Sequence, residues 1–156
     1  MKNLVLVISI FLLSACQKEE SNQFNLDTSF SMSVLDKNNN DLLNPNNNNS
    51  FKEENIKILY LIDGEKIEVN KPMLDYPKGF RIFEHENEYR IAIFPNNESI
   101  LKFPITYIIW NSTERDTIKC EIQGTDKSEI CKKIWYNGAL TWDSSENKER
   151  FFEIKK

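Results

Sequence analysis

Asp36, Asn38 and Asn40 set oxygen-bearing side chains at alternate positions, and Asp41 adds a second carboxylate beside them. A hard cation such as calcium takes oxygen ligands in this way. The full calcium-loop pattern is not met, because Asp41 stands where glycine makes the sharp turn and Asn47 where a bidentate glutamate belongs. Asp36 to Ser50 holds eight asparagines around Pro45, a composition that favours turns, so a long loop is the plainer expectation. His85 is the only histidine and cannot build a two-histidine metal site. No serine occupies a Gly-x-Ser-x-Gly elbow. Glu84, Glu86 and Glu88 form a short acidic row, but a hydrolytic carboxylate pair needs a cleft that tunes one member. We therefore expect no enzyme and no cofactor.

The aromatic side chains suit binding better. Trp110 closes an apolar stretch just before a polar turn and is expected at a rim, and Tyr136 is expected on the outward face of its hairpin. Either could stack on a sugar ring or meet a protein partner. Trp135 and Trp142 are assigned to the core. The formal charge of −4 argues against a nucleic-acid partner, which needs a basic footprint.

The N-terminus carries the most specific pattern. Lys2 precedes an apolar run from Leu4 to Leu13, broken only by Ser9, and small residues Ser14 and Ala15 lead to Cys16. That is the layout of a secretory signal, too short to span the roughly 30 Å of a bilayer core. Leu13-Ser14-Ala15-Cys16 resembles the bacterial lipoprotein lipobox. The resemblance implies cleavage before Cys16, a diacylglycerol on its thiol and usually a further acyl group on its new amine. Gln17-Lys18-Glu19-Glu20 resembles the signal that sends some Gram-negative lipoproteins to the cell surface, and Gln17 departs from the Asp that marks inner-membrane retention. Asp41-Leu42-Leu43-Asn44-Pro45 resembles a segment after the first strand of small bacterial lipoproteins without assigned function. Residues 1–15 are thus expected to be a signal peptide, 16–27 a lipidated tether and 28–156 one domain, anchored at the outer membrane. If Cys16 carries lipid, Cys120 and Cys131 remain as an even pair in an oxidising compartment, which reads as a disulfide.

The elements that must position these residues follow from periodicity. Phe30, Met32 and Val34 alternate, as do Ile56 to Ile62 and Ile67 to Val69 on either side of Asp63-Gly64. That dipeptide is a strong type I′ hairpin signal, and it pairs residues whose numbers sum to 127. Strands are also expected over 80–84, 89–95, around 100–110 with a break at Pro104, 117–123, 128–136 and 150–154. A loop over 124–127 would pair residues summing to 251 and set Cys120 opposite Cys131, with Trp135 on their face. Asn137-Gly138 is a second type I′ signal, placing Trp135 and Trp142 on one side. Alternation throughout, with no sustained helical period, predicts an all-β antiparallel sandwich of immunoglobulin-like architecture. A lipid-anchored, non-enzymatic module that binds a glycan or a protein is the expected function. A structural or envelope-assembly lipoprotein held in a complex is the alternative.

Overall fold

The computed structural model describes residues 24–98 and 102–156. Among the described residues eleven strands form, with short 3-10 turns at Glu53–Asn55 and Ser144–Glu146. In chain order the strands are β1 (Asn25–Asp27), β2 (Phe30–Leu35), β3 (Lys57–Ile62), β4 (Glu65–Glu68), β5 (Phe80–His85) and β6 (Glu88–Ile93). After these come β7 (Ile105–Ile109), β8 (Arg115–Thr125), β9 (Ser128–Tyr136), β10 (Ala139–Asp143) and β11 (Phe151–Lys155). The larger sheet runs β1-β9-β8-β7-β3-β4, with β10 also on β9; the smaller runs β11-β2-β6-β5. Alternate residues of both sheets meet in one core, with Met32, Val34, Ile91 and Ile93 from the small sheet against Ile58, Ile108, Ile118 and Ile134 from the large one. The chain is all-β and sandwich-like, as alternation predicts.

Two strand pairs correct the antiparallel expectation: β1 runs parallel to β9, and β11 parallel to β2. Asn25–Asp27, assigned from sequence to the tether, is the first of these strands. Its placement is secured by Arg150, whose guanidinium donates to both carboxylate oxygens of Asp27, at 2.8 and 3.1 Å. That bidentate bond holds the Asp27 carboxyl below the ordinary carboxylate range.

The first hairpin forms in the register that Asp63-Gly64 dictates. Tyr60 pairs with Ile67 and Leu59 with Glu68, and both turn residues adopt the positive φ of a type I′ turn, 50° and 85°. Asn96, read from sequence only as a turn residue, is fully buried and locks a crossing between the sheets. Its side-chain amide donates to the carbonyls of Leu61 and Ile105, which satisfies its own buried donor.

Gly79 enters β5 at φ +77°, where a Cβ would stand 3.1 Å from Val69 Cγ1. Gly79→Ala combines backbone strain with that contact and is expected to cost about 1–2 kcal/mol, measured by urea denaturation. Gly64 also has positive φ but open space around it, so Gly64→Ala should cost less.

Candidate functional site

The Asn-rich loop does not assemble a cation site from Asp36, Asn38, Asn40 and Asp41. Asp36 Oδ1 accepts from the backbone amides of Asn38 and Asn40, at 2.7 and 2.8 Å, and its Oδ2 from the Asn40 side chain at 2.8 Å. The Asn40 side-chain and backbone bonds hold the Asp36 carboxyl below its ordinary range. Asp41 turns elsewhere: Oδ1 accepts from Leu43 and Asn44, and Oδ2 from the Tyr89 backbone at 2.8 Å. These are Asx-type turns plus one tie to β6, so the carboxylates serve the backbone. These bonds lend the calcium grouping no support. Neither added calcium nor EDTA should shift the melting temperature, whereas a ligand bound to the folded state would raise it.

Trp110 is not at a rim. It is 0 % exposed, its ring stacks on Phe51 at 5.0 Å, and its indole nitrogen donates to the buried carboxylate of Asp116. Tyr136 also faces inward, 6.1 Å from the Phe152 ring of the opposite sheet, and burial together with the nearby Asp116 pushes its hydroxyl pKa up. Trp110 is closed to solvent, and Tyr136 is half-buried with its ring packed against the core.

The reason lies in the β8–β9 register. The turn is tighter than a 124–127 loop, since Thr125 pairs with Ser128, and Lys132 forms a bulge where Glu121 faces Lys133 and Ile122 faces Cys131. Cys120 therefore lies opposite Ile134, not Cys131, and the two cysteines are free thiols. They are diagonal neighbours on the core side. The interaction with Cys131, reinforced by burial, pushes the Cys120 thiol pKa far up, which leaves it unreactive. Alkylation should spare both thiols in the folded protein and label them after unfolding. The expected disulfide is corrected to this thiol pair.

The same bulge turns Trp135 out of the core, onto the outer face of the large sheet beside Lys119. There the Lys119 ammonium lies 4.4 Å over the Trp135 ring, Phe103 meets the ring edge at 6.0 Å, and Leu140 pairs with Trp135 from β10. A second bulge, at Thr141, returns Trp142 to the core. Further along the same face, Tyr107 pairs with Leu59 and Thr117, and Lys66 Nζ sits 4.0 Å over its ring. Among the described residues, Lys57 is paired with Glu68 and Lys102 with Glu121, while Lys66 and Lys119 have no acidic partner. The alternation of β7 could have revealed Tyr107: Thr106 and Ile108 point inward, so Tyr107 must point out.

A cleft of about 380 Å³ opens at one end of the sandwich, between the β1–β2 connection, the 69–79 loop and residues 94–97. Its wall stacks Tyr76 on Phe94 at 5.4 Å, and the Tyr60 hydroxyl donates to the Phe94 carbonyl at 2.8 Å.

Among the described residues no group of three His, Cys, Asp or Glu could hold a metal, and no helix is long and apolar enough to cross a membrane. Cys16 and its neighbours lie outside the described residues. Comparison with family models, curated proteins and solved structures finds no match for this chain. The sandwich-like all-β class is therefore read from the strand pattern alone.

Proposed function

We propose that this chain is a non-enzymatic, lipid-anchored binding module of the outer membrane, displayed at the cell surface, that takes an anionic glycan across the outer face of its large sheet. The anchor rests on Leu13-Ser14-Ala15-Cys16 and the display on Lys18-Glu19-Glu20. The observation that carries the ligand class is the pairing of aromatic rings with unpaired ammonium groups, Trp135 with Lys119 and Tyr107 with Lys66, on a chain of net negative charge.

A cation over a ring face is attracted by the ring quadrupole, worth about 0.5–1 kcal/mol at an exposed site. The ammonium groups therefore cover the rings while the site is empty. A neutral sugar would have to displace them without replacing that attraction. An anionic sugar draws each ammonium onto its own charged group and frees the ring for the apolar face of the pyranose. Charge complementarity of this kind sets specificity and on-rate.

Binding of polygalacturonate oligomers, with neutral dextran as control, tests this on the full chain. The acidic polymer is expected to bind, more weakly as salt rises, and dextran not to bind. Trp135→Ala is expected to weaken binding about tenfold, or ~1.4 kcal/mol, and Lys119→Gln to flatten the salt dependence, both with unchanged melting temperature. Equal binding of the two polymers, or binding indifferent to Trp135→Ala, would overturn the glycan reading. Recovery of a stoichiometric envelope protein after gentle crosslinking, with neither polymer bound, would replace it with an assembly role.

A further inference from the structure

We infer that the end of the sandwich from which the chain leads back toward Cys16 is a membrane-contacting surface, with the apolar rim of its cleft seated in the lipid interface. This rests on the anchor reading given above and adds to it a fixed orientation of the domain.

The loop between β4 and β5 presents Met73 at 96 % and Leu74 at 56 % exposure. Exposed apolar tips on a slack loop would mean little, but this loop is braced. The Lys71 amide donates to the Pro77 carbonyl at 2.8 Å, Leu74 to Lys71 at 3.0 Å and Gly79 to Tyr76 at 3.0 Å. Pro72 and Pro77 further restrict the backbone. The loop is thus held with its apolar residues outward, at an ordering cost that burying them inward would have offset.

A second strand of apolar surface faces it. Leu26 of β1, 54 % exposed, lines the same cleft as Leu74 and Tyr76. Phe24, two residues earlier and also exposed, falls on the same side where the chain is extended. Arg81 completes the rim: it donates to the Tyr76 hydroxyl at 3.1 Å, and its guanidinium lies 5.3 Å from that ring. An aromatic ring with a polar tip beside a long cationic side chain is suited to the level of lipid headgroups, where one end is apolar and the other wet.

What covers this surface follows from its position on the chain. Seven residues separate Cys16 from Phe24, so an extended connection spans at most about 28 Å. The anchor would keep this end within that reach of the bilayer at all times, and a tethered surface needs little intrinsic affinity to stay engaged. The Asn-rich loop lies at the other end, because the cleft precedes the start of β2 and the loop follows its end. Six residues of strand place the two about 20 Å apart. The polar end thus faces away from the lipid and the apolar end toward it.

The test places a photo-crosslinking p-benzoylphenylalanine at Leu74, at Met73, or at Asn46 in the opposite loop. The full chain is expressed in a Gram-negative host and irradiated in intact membranes. Phospholipid adducts, identified by mass, are expected at positions 73 and 74 and not at 46. No lipid adduct at 73 and 74, or adducts only to protein, would overturn the inference. So would equal lipid labelling at all three positions. The mass of the same purified chain reports acylation at Cys16 separately. An acylated chain without lipid adducts at the rim sinks this inference and leaves the anchor standing. An unacylated chain that still labels lipid at the rim sinks the anchor and supports the inference.

Discussion

Asp116→Ala is expected to destabilise the domain by about 3–5 kcal/mol, the cost of breaking a buried ion pair from one side. Asp116 is 4 % exposed and receives donors from three different parts of the chain. Lys156 Nζ and the Trp110 indole nitrogen reach Oδ2, and the Asn137 amide reaches Oδ1 at 2.8 Å. Removing the carboxylate leaves the shielded Lys156 ammonium with only the longer contact to Glu114, at 3.7 Å, and the buried Trp110 indole N–H without a partner. Asp116→Asn keeps an acceptor but no charge and should cost less. Combined with Lys156→Met, Asp116→Ala should cost less than the sum of the two single changes, since no charge is then stranded.

The same residue gives the fold an acid limb. Burial alone would raise the Asp116 pKa, but the bonds from Lys156, Asn137, Tyr136 and Trp110 outweigh it and hold the carboxyl below its ordinary value of 3.8. A depressed folded value means that the unfolded chain binds the proton first. The stabilisation is therefore full above the ordinary value and is lost as pH falls through the lowered one. Urea midpoints in wild type should fall across that window, and Asp116→Asn should flatten the fall.

Cys16→Ser is expected to move the protein from the membrane fraction to the soluble one. Each buried methylene contributes about 0.8 kcal/mol; one acyl chain holds marginally, whereas two or more hold stably. Serine offers no thiol for the first acylation. The braced rim of Met73 and Leu74 would not compensate, because without the anchor its contact with lipid ceases to be intramolecular. Fractionation of wild type and variant with a salt wash separates lipid anchoring from electrostatic adhesion. A variant that stays with the membrane would contradict the prediction.

Period-two alternation made the strands legible, and two dipeptides fixed two hairpins. Asp63-Gly64 and Asn137-Gly138 each require two positive φ values, which the chain adopts, 48° and 87° in the second case. Where the turn lacks such a signature the register was not readable. Thr125-Asp126-Lys127-Ser128 does not announce its tight geometry, and the bulge at Lys132 leaves no mark in a run of two lysines. One extra residue reverses every later side chain on its strand. Trp135 and Tyr136 therefore exchanged faces, and with them the candidate ligand site. The parallel pairing of β1 was hidden for another reason: three exposed residues carry no alternation, and the pair is held by the distant Arg150. A polar turn after Trp110 suggests a rim residue, yet the strand that follows that turn, β8, supplies Asp116, the buried acceptor for its N–H.

Intact mass of the protein extracted from membranes of its producing cells tests the central claim most directly. The account predicts a chain that begins at Cys16 and carries the added mass of its acyl groups. A chain that retains Met1, or begins at Cys16 without added acyl mass, would contradict it.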